Sequence, residues 1–220
     1  MNDKSQVWDL FVRVFHWSLV VLFITSYVSS EENIDIHVYS SYMIFGLLLM
    51  RIVWGFVGSK HARFSDFLYS PKEAIVYLKG LRSGKAKLYL GHTPAGTMMI
   101  FALFLSLFAA IITGFKVYGL EGYGPFAETS VYETQEQDEL HEQREKLVKH
   151  EERDEKHDAQ AEYEKHEGSE EEEFWEEIHE FFANFTIFLI VLHVVGVLVS
   201  SFAHKQNLIK SMITGIKKTE

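Results

Sequence analysis

The chain has 220 residues, 47% of them hydrophobic, and a formal net charge of −10 at pH 7. It contains no cysteine, which excludes disulfides, iron–sulfur clusters held by thiolates and covalent attachment of a redox group through a C-x-x-C-H motif. Length alone would suggest one or two globular domains, but the apolar residues are gathered in long blocks, which is typical of a membrane protein.

Four apolar segments are long enough to cross about 30 Å of hydrocarbon as helices. They cover 8–28, 36–57, 93–117 and 175–203. The first does not resemble a cleaved signal peptide, because it is long and lacks a small-residue cleavage site. The sequence therefore predicts an all-α membrane protein, a four-transmembrane-helix bundle in which residues 1–220 form one domain.

The charges of the connecting segments predict how the chain crosses the membrane. The segment 58–92 is basic and four lysines follow the last span, whereas the short turn 29–35 is acidic. Short basic segments stay in the cytoplasm, so we expect both termini inside and residues 29–35 and 118–174 outside. The predicted location is the bacterial inner membrane, with multiple passes.

A long charged segment separates the third and fourth spans. Residues 118–177 hold 22 acidic and 6 basic side chains, and 128–168 form an acidic, periplasmic insert. Opposite charges three and four residues apart favour an exposed helix or a disordered segment. We expect a helix over part of 136–166 that ends near Gly168–Ser169.

The basic segment between the second and third spans has its own helix signals. Ser70-Pro71 with Glu73 predicts a helix start, and Gly80 predicts a stop. The mixture of aromatic, aliphatic and basic residues over 64–91 predicts a short amphipathic helix on the cytoplasmic membrane face.

Four histidines lie within the predicted spans, where an ionisable residue must be compensated. His179 and His193 are fourteen residues apart, which on a helix is about 21 Å and close to four turns, so both rings face nearly one side at two depths. His16 lies at the depth of His193, and His37 at the depth of His179. Depth therefore predicts two pairs, His16–His193 and His37–His179.

Two histidines from different helices at one depth are a common way for a helix bundle to hold haem. A neutral imidazole on each axial position suits electron transfer, because the iron keeps no open site for oxygen. We predict two non-covalent, bis-His haem b groups, with His16 and His193 on the inner iron and His37 and His179 on the outer iron. The alternative for each ring is a hydrogen bond to a backbone carbonyl or to Ser or Thr.

Arg13, Arg51 and His92 are candidates for contact with haem propionates or with quinone. Both arginines lie near the cytoplasmic ends of their spans, and guanidinium pairs well with carboxylates. The alternative is that both extend to the lipid headgroups. His92 stands at the entrance of the third span, where a structural role is the alternative.

Three glycines in the spans, Gly46, Gly114 and Gly196, remove side chains from the helix surface. They would allow a porphyrin face to approach a helix closely. Simple helix packing through small residues is the alternative.

Several pieces of the chain match one family in their order and spacing. They are RVFHW at 13–17, HVYSSYMIFGLLLMRIVWGFVGSKHARF at 37–64, GHTPAG at 91–96, TGFKVYGLEGYGPFA at 113–127, EIHE at 177–180, LHVVGVL at 192–198 and HKQNLIKSMITGIKK at 204–218. The chain resembles the bacterial cytochrome b561 family of four-helix dihaem b-type cytochromes, which includes hydrogenase-associated members. The resemblance covers nearly everything except 128–168, and Ser41 stands where the family pattern has Gly.

The resemblance implies axial ligands on the first, second and fourth helices, which fall on the four histidines that depth selects. It also implies respiratory electron transfer, often between quinone and a periplasmic c-type cytochrome or a hydrogenase. We expect quinol as donor and a c-type cytochrome as acceptor, with flow from a periplasmic hydrogenase to quinone as the alternative. The chain is then an electron carrier, for which quinol oxidation or quinone reduction is the candidate activity. A second copy of the chain, in a homodimer, is a further candidate partner, and no nucleic-acid partner is expected.

A divalent-metal transporter or sensor is the alternative from another class, with the intramembrane histidines moving ions and the insert histidines collecting them. These are His141, His150, His157 and His166. On a helix only His150 and His157 share a face, so we expect a solvated acidic surface rather than a metal site. Such a surface would attract a basic partner. A scaffold subunit without redox activity is a further alternative.

Overall fold

The computed structural model describes residues 4–85, 87–89, 91–127 and 154–218. Of the predicted insert 128–168, residues 128–153 lie outside these ranges. Its four histidines are not among the described side chains, so the predictions made for them stay predictions.

The described chain is mainly helical. In chain order the elements are β1 (Lys4–Gln6), α1 (Leu10–Ser29), α2 (Ile34–Val57), a 3-10 turn (Lys60–Ala62), α3 (Phe64–Phe67), α4 (Pro71–Arg82), α5 (Pro94–Leu120), α6 (Asp154–Ala203), α7 (Leu208–Thr214) and β2 (Ile216–Lys218). Four stretches are long and apolar enough to cross a membrane: α1, α2, α5 and the part of α6 from Glu170 to Ala203. They coincide with the four predicted spans.

Capping residues explain where three helices begin. The side chains of Asp9 and Asn33 each accept a backbone N–H from the first turn of α1 and of α2. At α4, Ser70 and Glu73 form a capping box and Pro71 takes the first helical position. The predicted helix start at Ser70-Pro71 is confirmed.

The chain divides into two compact units. The first contains residues 1–108 and 185–220, and the second contains residues 109–184. In the first unit, α1 packs along α2. Its buried apolar cluster joins Val7, Trp8 and Val12 to Ala62, with further packing from two flanking side chains. The second unit comprises the last turns of α5 and the first part of α6.

The two ends of the described chain meet in the first unit. β1 and β2 pair antiparallel, with Ser5 opposite Lys217. Arg13 donates a hydrogen bond of 2.7 Å from Nη1 to the carbonyl of Ile213, which ties α1 to the C-terminal segment. Both ends of the described chain therefore lie together in the first unit.

The expected break near Gly168–Ser169 is wrong, because α6 is continuous from Asp154 to Ala203. A single glycine within a helix costs only about 1 kcal/mol relative to alanine. The glutamates that follow are good helix formers, and they outweigh that cost.

Candidate functional site

His16 and His193 belong to the same unit. His16 lies on α1 and His193 on α6, and the two rings are within electrostatic range of each other. Nδ1 of His16 is buried and has no hydrogen-bond partner among the described residues. The two rings that were predicted to share the inner haem therefore lie in one unit, and their pairing on one iron stays a prediction.

His37, also in the first unit, is held by α1. Its Nδ1 lies 2.8 Å from the carbonyl oxygen of Ser26 and 3.3 Å from the Ser26 hydroxyl. That hydroxyl also lies 3.2 Å from the hydroxyl of Ser41. Ser41, which departs from the family pattern, therefore belongs to the hydrogen-bonded group that fixes His37.

His179, in the second unit, has a similar setting on α5. Its Nδ1 lies 2.8 Å from the carbonyl oxygen of Ala110 and 3.3 Å from the hydroxyl of Thr113. A Cβ added at Gly114 would stand 2.9 Å from the Cε1 of His179 and 3.1 Å from its Nδ1. Real Cβ atoms do not approach that closely, so glycine at 114 makes room for the ring.

These contacts fix the tautomer of both rings. A carbonyl oxygen only accepts hydrogen bonds, so Nδ1 of His37 and of His179 must carry the proton. In the neutral form the lone pair then belongs to Nε2. Metal-binding histidines commonly have this arrangement, in which the far nitrogen donates to a carbonyl and orients the ring.

Two of the three span glycines have open space beside them. A Cβ at Gly46 or Gly196 would meet nothing within 4 Å. Close helix packing therefore does not explain these two glycines in the part of the chain that the structure describes. They leave room for a flat group against the helix.

Arg51 is a buried cation with an unused donor. It is only 6% exposed, its Nη2 donates to the carbonyl of Ala62 at 3.1 Å, and it lies over the ring of Phe64. Its Nη1 is buried and finds no partner within the described residues. An anionic group from outside the chain would satisfy it.

His92 sits between two aromatic rings, 4.6 Å from that of Trp8 and 4.3 Å from that of Phe67. Its Nδ1 is also buried and lacks a partner in the described chain. Burial, with the nearby positive charges of Arg51 and Lys217, lowers the pKa of His92 to about 3. The ring is therefore neutral at physiological pH, and without a nearby anion it is a weak proton acceptor.

Arg13 has different partners from those predicted. Besides the carbonyl of Ile213, its Nε lies 3.4 Å from the carbonyl of Asp9. These contacts hold the C-terminal segment against α1. A propionate contact for Arg13 stays a prediction with no support from its neighbours.

The residues present fit haem. It needs imidazoles whose lone pair is directed away from the helix contact, and the Nδ1 contacts of His37 and His179 direct it to Nε2. It needs helix faces without bulky side chains, and a Cβ at Gly46 or Gly196 would meet nothing within 4 Å. It also needs cations for its propionates, and Arg51 has a buried N–H to offer.

A site for a free metal ion has less support. Among the described residues, no three side chains of the His, Cys, Asp or Glu types converge in a way that could hold an ion. Axial ligation of haem needs only two side chains for each iron, because the porphyrin supplies the other donors.

Sequence reasoning missed the groups that orient the histidines. Ser26 and Thr113 could have been noticed, because each places a hydroxyl group in an apolar span. The backbone carbonyls of Ser26 and Ala110 could not, because every residue has one. Lys217 was counted only as a basic charge, and its burial at 7% exposure was not foreseen.

Membrane-length helices that carry histidines with oriented imidazoles are typical of one class, that of membrane-embedded b-type cytochromes. The family described as prokaryotic cytochrome b561 matches residues 7–215, and the chain belongs to that family. The predicted resemblance and fold class are confirmed. Electron transport through haem b in a membrane is the activity that this family supports.

The named relatives belong to hydrogenase systems. A probable Ni/Fe-hydrogenase B-type cytochrome subunit from Bradyrhizobium diazoefficiens is 29% identical over 149 residues, which cover 54% of this chain and 59% of the relative. A probable Ni/Fe-hydrogenase 1 B-type cytochrome subunit from Escherichia coli K12 is 28% identical over 153 residues, covering 54% and 64%. The chain spans about three fifths of the length of these curated relatives. No solved structure matches the chain.

Proposed function

We propose that this protein is a dihaem cytochrome b that carries electrons across the bacterial inner membrane, with both termini in the cytoplasm. His16 and His193 hold the inner iron, and His37 and His179 hold the outer iron. The observation that carries the proposal is the state of the imidazoles. Two have Nδ1 bonded to a helix carbonyl at 2.8 Å, and Nδ1 of His16 is buried without a partner among the described residues.

Bound haem supplies one-electron chemistry at its iron. The chain supplies the orientation: the carbonyls of Ser26 and Ala110 keep the lone pairs of His37 and His179 on Nε2. The apolar spans exclude water from the site. The spacing of His179 and His193 would set the two irons about 21 Å apart along one helix, which gives electrons a route between the two faces.

Names of the relatives favour a hydrogenase as the partner on the outer side. Electrons would then flow from hydrogen through the outer and inner haems to quinone. The second candidate is flow from quinol to a periplasmic c-type cytochrome, which the acidic composition of 118–177 favours because such carriers can present a basic rim.

Haem content tests the dihaem proposal. The purified protein is expected to contain two haem b per chain by the pyridine haemochrome assay, and to show a b-type α band on reduction with dithionite. A folded but colourless protein would contradict it and would favour a scaffold or a metal transporter.

The direction of flow needs a separate experiment in native membranes. If a hydrogenase is the partner, hydrogen gas reduces the haems and an added quinone reoxidises them. If a c-type cytochrome is the partner, quinol reduces the haems and oxidised cytochrome c reoxidises them. A strain that lacks this chain is the control for both arms.

A further inference from the structure

Lys217 is a buried lysine on the C-terminal strand β2. It is 7% exposed, and its Nζ donates to the carbonyls of Tyr89 at 3.3 Å and Gly91 at 3.1 Å. Nζ also lies 5.8 Å from the ring centroid of Trp8. Burial lowers the pKa of Lys217 to about 8, so the amine is still mainly charged at pH 7.

This lysine is the third basic group at one place in the first unit. The charges of Lys217 and Arg51 both act on His92, and the ring of Trp8 contacts His92 edge-on while Lys217 lies over it. The three groups come from α2, the entrance of α5 and β2, so segments far apart in the sequence build the cluster.

The positive charge of this cluster is not neutralised by the described chain. Neither Arg51 nor Lys217 forms an ion pair with a described carboxylate. Asp9 acts on Arg51 only at longer range, and its own oxygens accept from Val12, Trp54 and Ser59. A buried charge without a partner is strongly destabilising.

Two buried nitrogens in the cluster also lack a partner. Nη1 of Arg51 and Nδ1 of His92 are buried and have no partner among the described residues. Since a buried polar atom is almost always hydrogen-bonded, a partner from outside the chain is missing at each, and an acceptor would satisfy Arg51 and the Nδ1–H tautomer of His92. An anion with two oxygens would serve both and offset the charge.

We propose that Arg51, His92 and Lys217 form a carboxylate-binding site for a propionate of the inner haem, and that Lys217 is a positioning residue in it. This inference rests on the proposed function. Trp8, whose ring contacts His92 and lies under Lys217, precedes α1 by two residues, and His16 lies in the second turn of that helix. A quinone carbonyl is neutral and would leave the cluster charge unbalanced.

The C-terminal strand has a function on this account. Pairing of β2 with β1 places Ser5 opposite Lys217, and this pairing holds the amine in place beside His92. A positive charge near a haem favours its reduced state, so Lys217 would raise the midpoint potential of the inner haem.

The test is a redox titration of the purified dihaem protein with three variants. Lys217→Met removes the charge, Lys217→Arg keeps it, and Lys210→Met removes an exposed charge from the same C-terminal segment. Expected is a lower midpoint potential for one haem in K217M, restored at least in part in K217R and absent in K210M. The potential of the other haem stays at the wild-type value in all three.

Other outcomes overturn the proposal. If K217M keeps two haems with both potentials unchanged, or only lowers thermal stability, Lys217 has a structural role alone. If the wild-type potential depends on phosphate concentration at constant ionic strength, the site takes a free anion instead of a propionate. A wild-type protein without haem would refute the proposed function as well, and haem content identifies that case separately.

Discussion

Nδ1 of His179 on α6 lies 2.8 Å from the carbonyl oxygen of Ala110 on α5. The same distance separates Nδ1 of His37 from the carbonyl of Ser26. A hydrogen bond of this kind is expected for a structural histidine as well as for a ligand. The bond is informative because it assigns the proton of both rings to Nδ1, which leaves the lone pair on Nε2 for a metal.

Gly114→Ala tests the position of His179. A methyl group at 114 would stand 2.9 Å from Cε1 of the ring, so the ring must move, at a cost of about 1–3 kcal/mol. We expect the outer haem to be lost or weakly bound, as seen in the reduced spectrum. The inner haem of the same molecule is the control, and retention of both haems with native spectra would show that Gly114 is not needed for ligation.

Asp9→Ala tests the polar junction at the start of α1. Asp9 caps the helix and accepts from Trp54 Nε1 at 3.0 Å and from Ser59, so its loss is expected to cost about 1–2 kcal/mol. Unfolding in detergent at pH 7 measures this, with the exposed Asp35→Ala as matched control. Equal stability of the two variants would contradict the assignment.

The same carboxylate predicts a response to acid. Although burial by itself raises the pKa of Asp9, hydrogen bonds from Ser59, Val12 and Trp54 and the charge of Arg51 lower it overall. A folded-state pKa below the unfolded value stabilises the fold above the unfolded pKa, and this is lost as pH falls through the folded pKa. As the pH falls below about 5, the wild-type protein should therefore lose more stability than D9A. Thermal unfolding of both proteins at about four pH values would measure the difference.

Tyr77→Phe tests the attachment of α4. The buried Tyr77 hydroxyl lies 3.1 Å from Nε2 of His204 and 3.4 Å from the hydroxyl of Ser200, so its removal is expected to cost about 1 kcal/mol. Hydrogen exchange of the amides in 71–82 should accelerate about fivefold. The exposed Tyr39→Phe is the control, and unchanged exchange in Y77F would mean that apolar packing alone holds α4.

The acidic composition of 118–177 makes a prediction for the redox partner. If a basic carrier docks there, its association rate falls as ionic strength rises. Stopped-flow reduction of the partner at low and high salt measures this. A rate that does not depend on salt would exclude an electrostatic docking surface.

Hydrophobic blocks and charged turns were enough to predict the helices. The predicted first span at 8–28 compares with Leu10–Ser29 and the second at 36–57 with Ile34–Val57, because length and apolar composition decide whether a helix crosses a membrane. The capping box at Ser70 was recognised because it depends on residues three apart. The break expected at Gly168 failed because the glutamates around it compensate for one glycine.

The supporting contacts could not be predicted in the same way. Every residue has a backbone carbonyl, so the sequence does not single out that of Ala110. Only the fold shows that His179 lies beside it. Burial of Lys217 depends on strand pairing between the two ends of the chain, and Arg13 is occupied by the carbonyl of Ile213, 200 positions away. The spacing of residues along one helix predicts which of them share a face. It does not predict which segments far apart in the sequence come into contact.

The pairing of the four histidines is the central claim, and redox titration of single Ala variants tests it most directly. The account predicts that His16→Ala and His193→Ala lose the same haem component, and that His37→Ala and His179→Ala lose the other. Loss of one shared component in His16→Ala and His37→Ala, with the second retained in both, would contradict it.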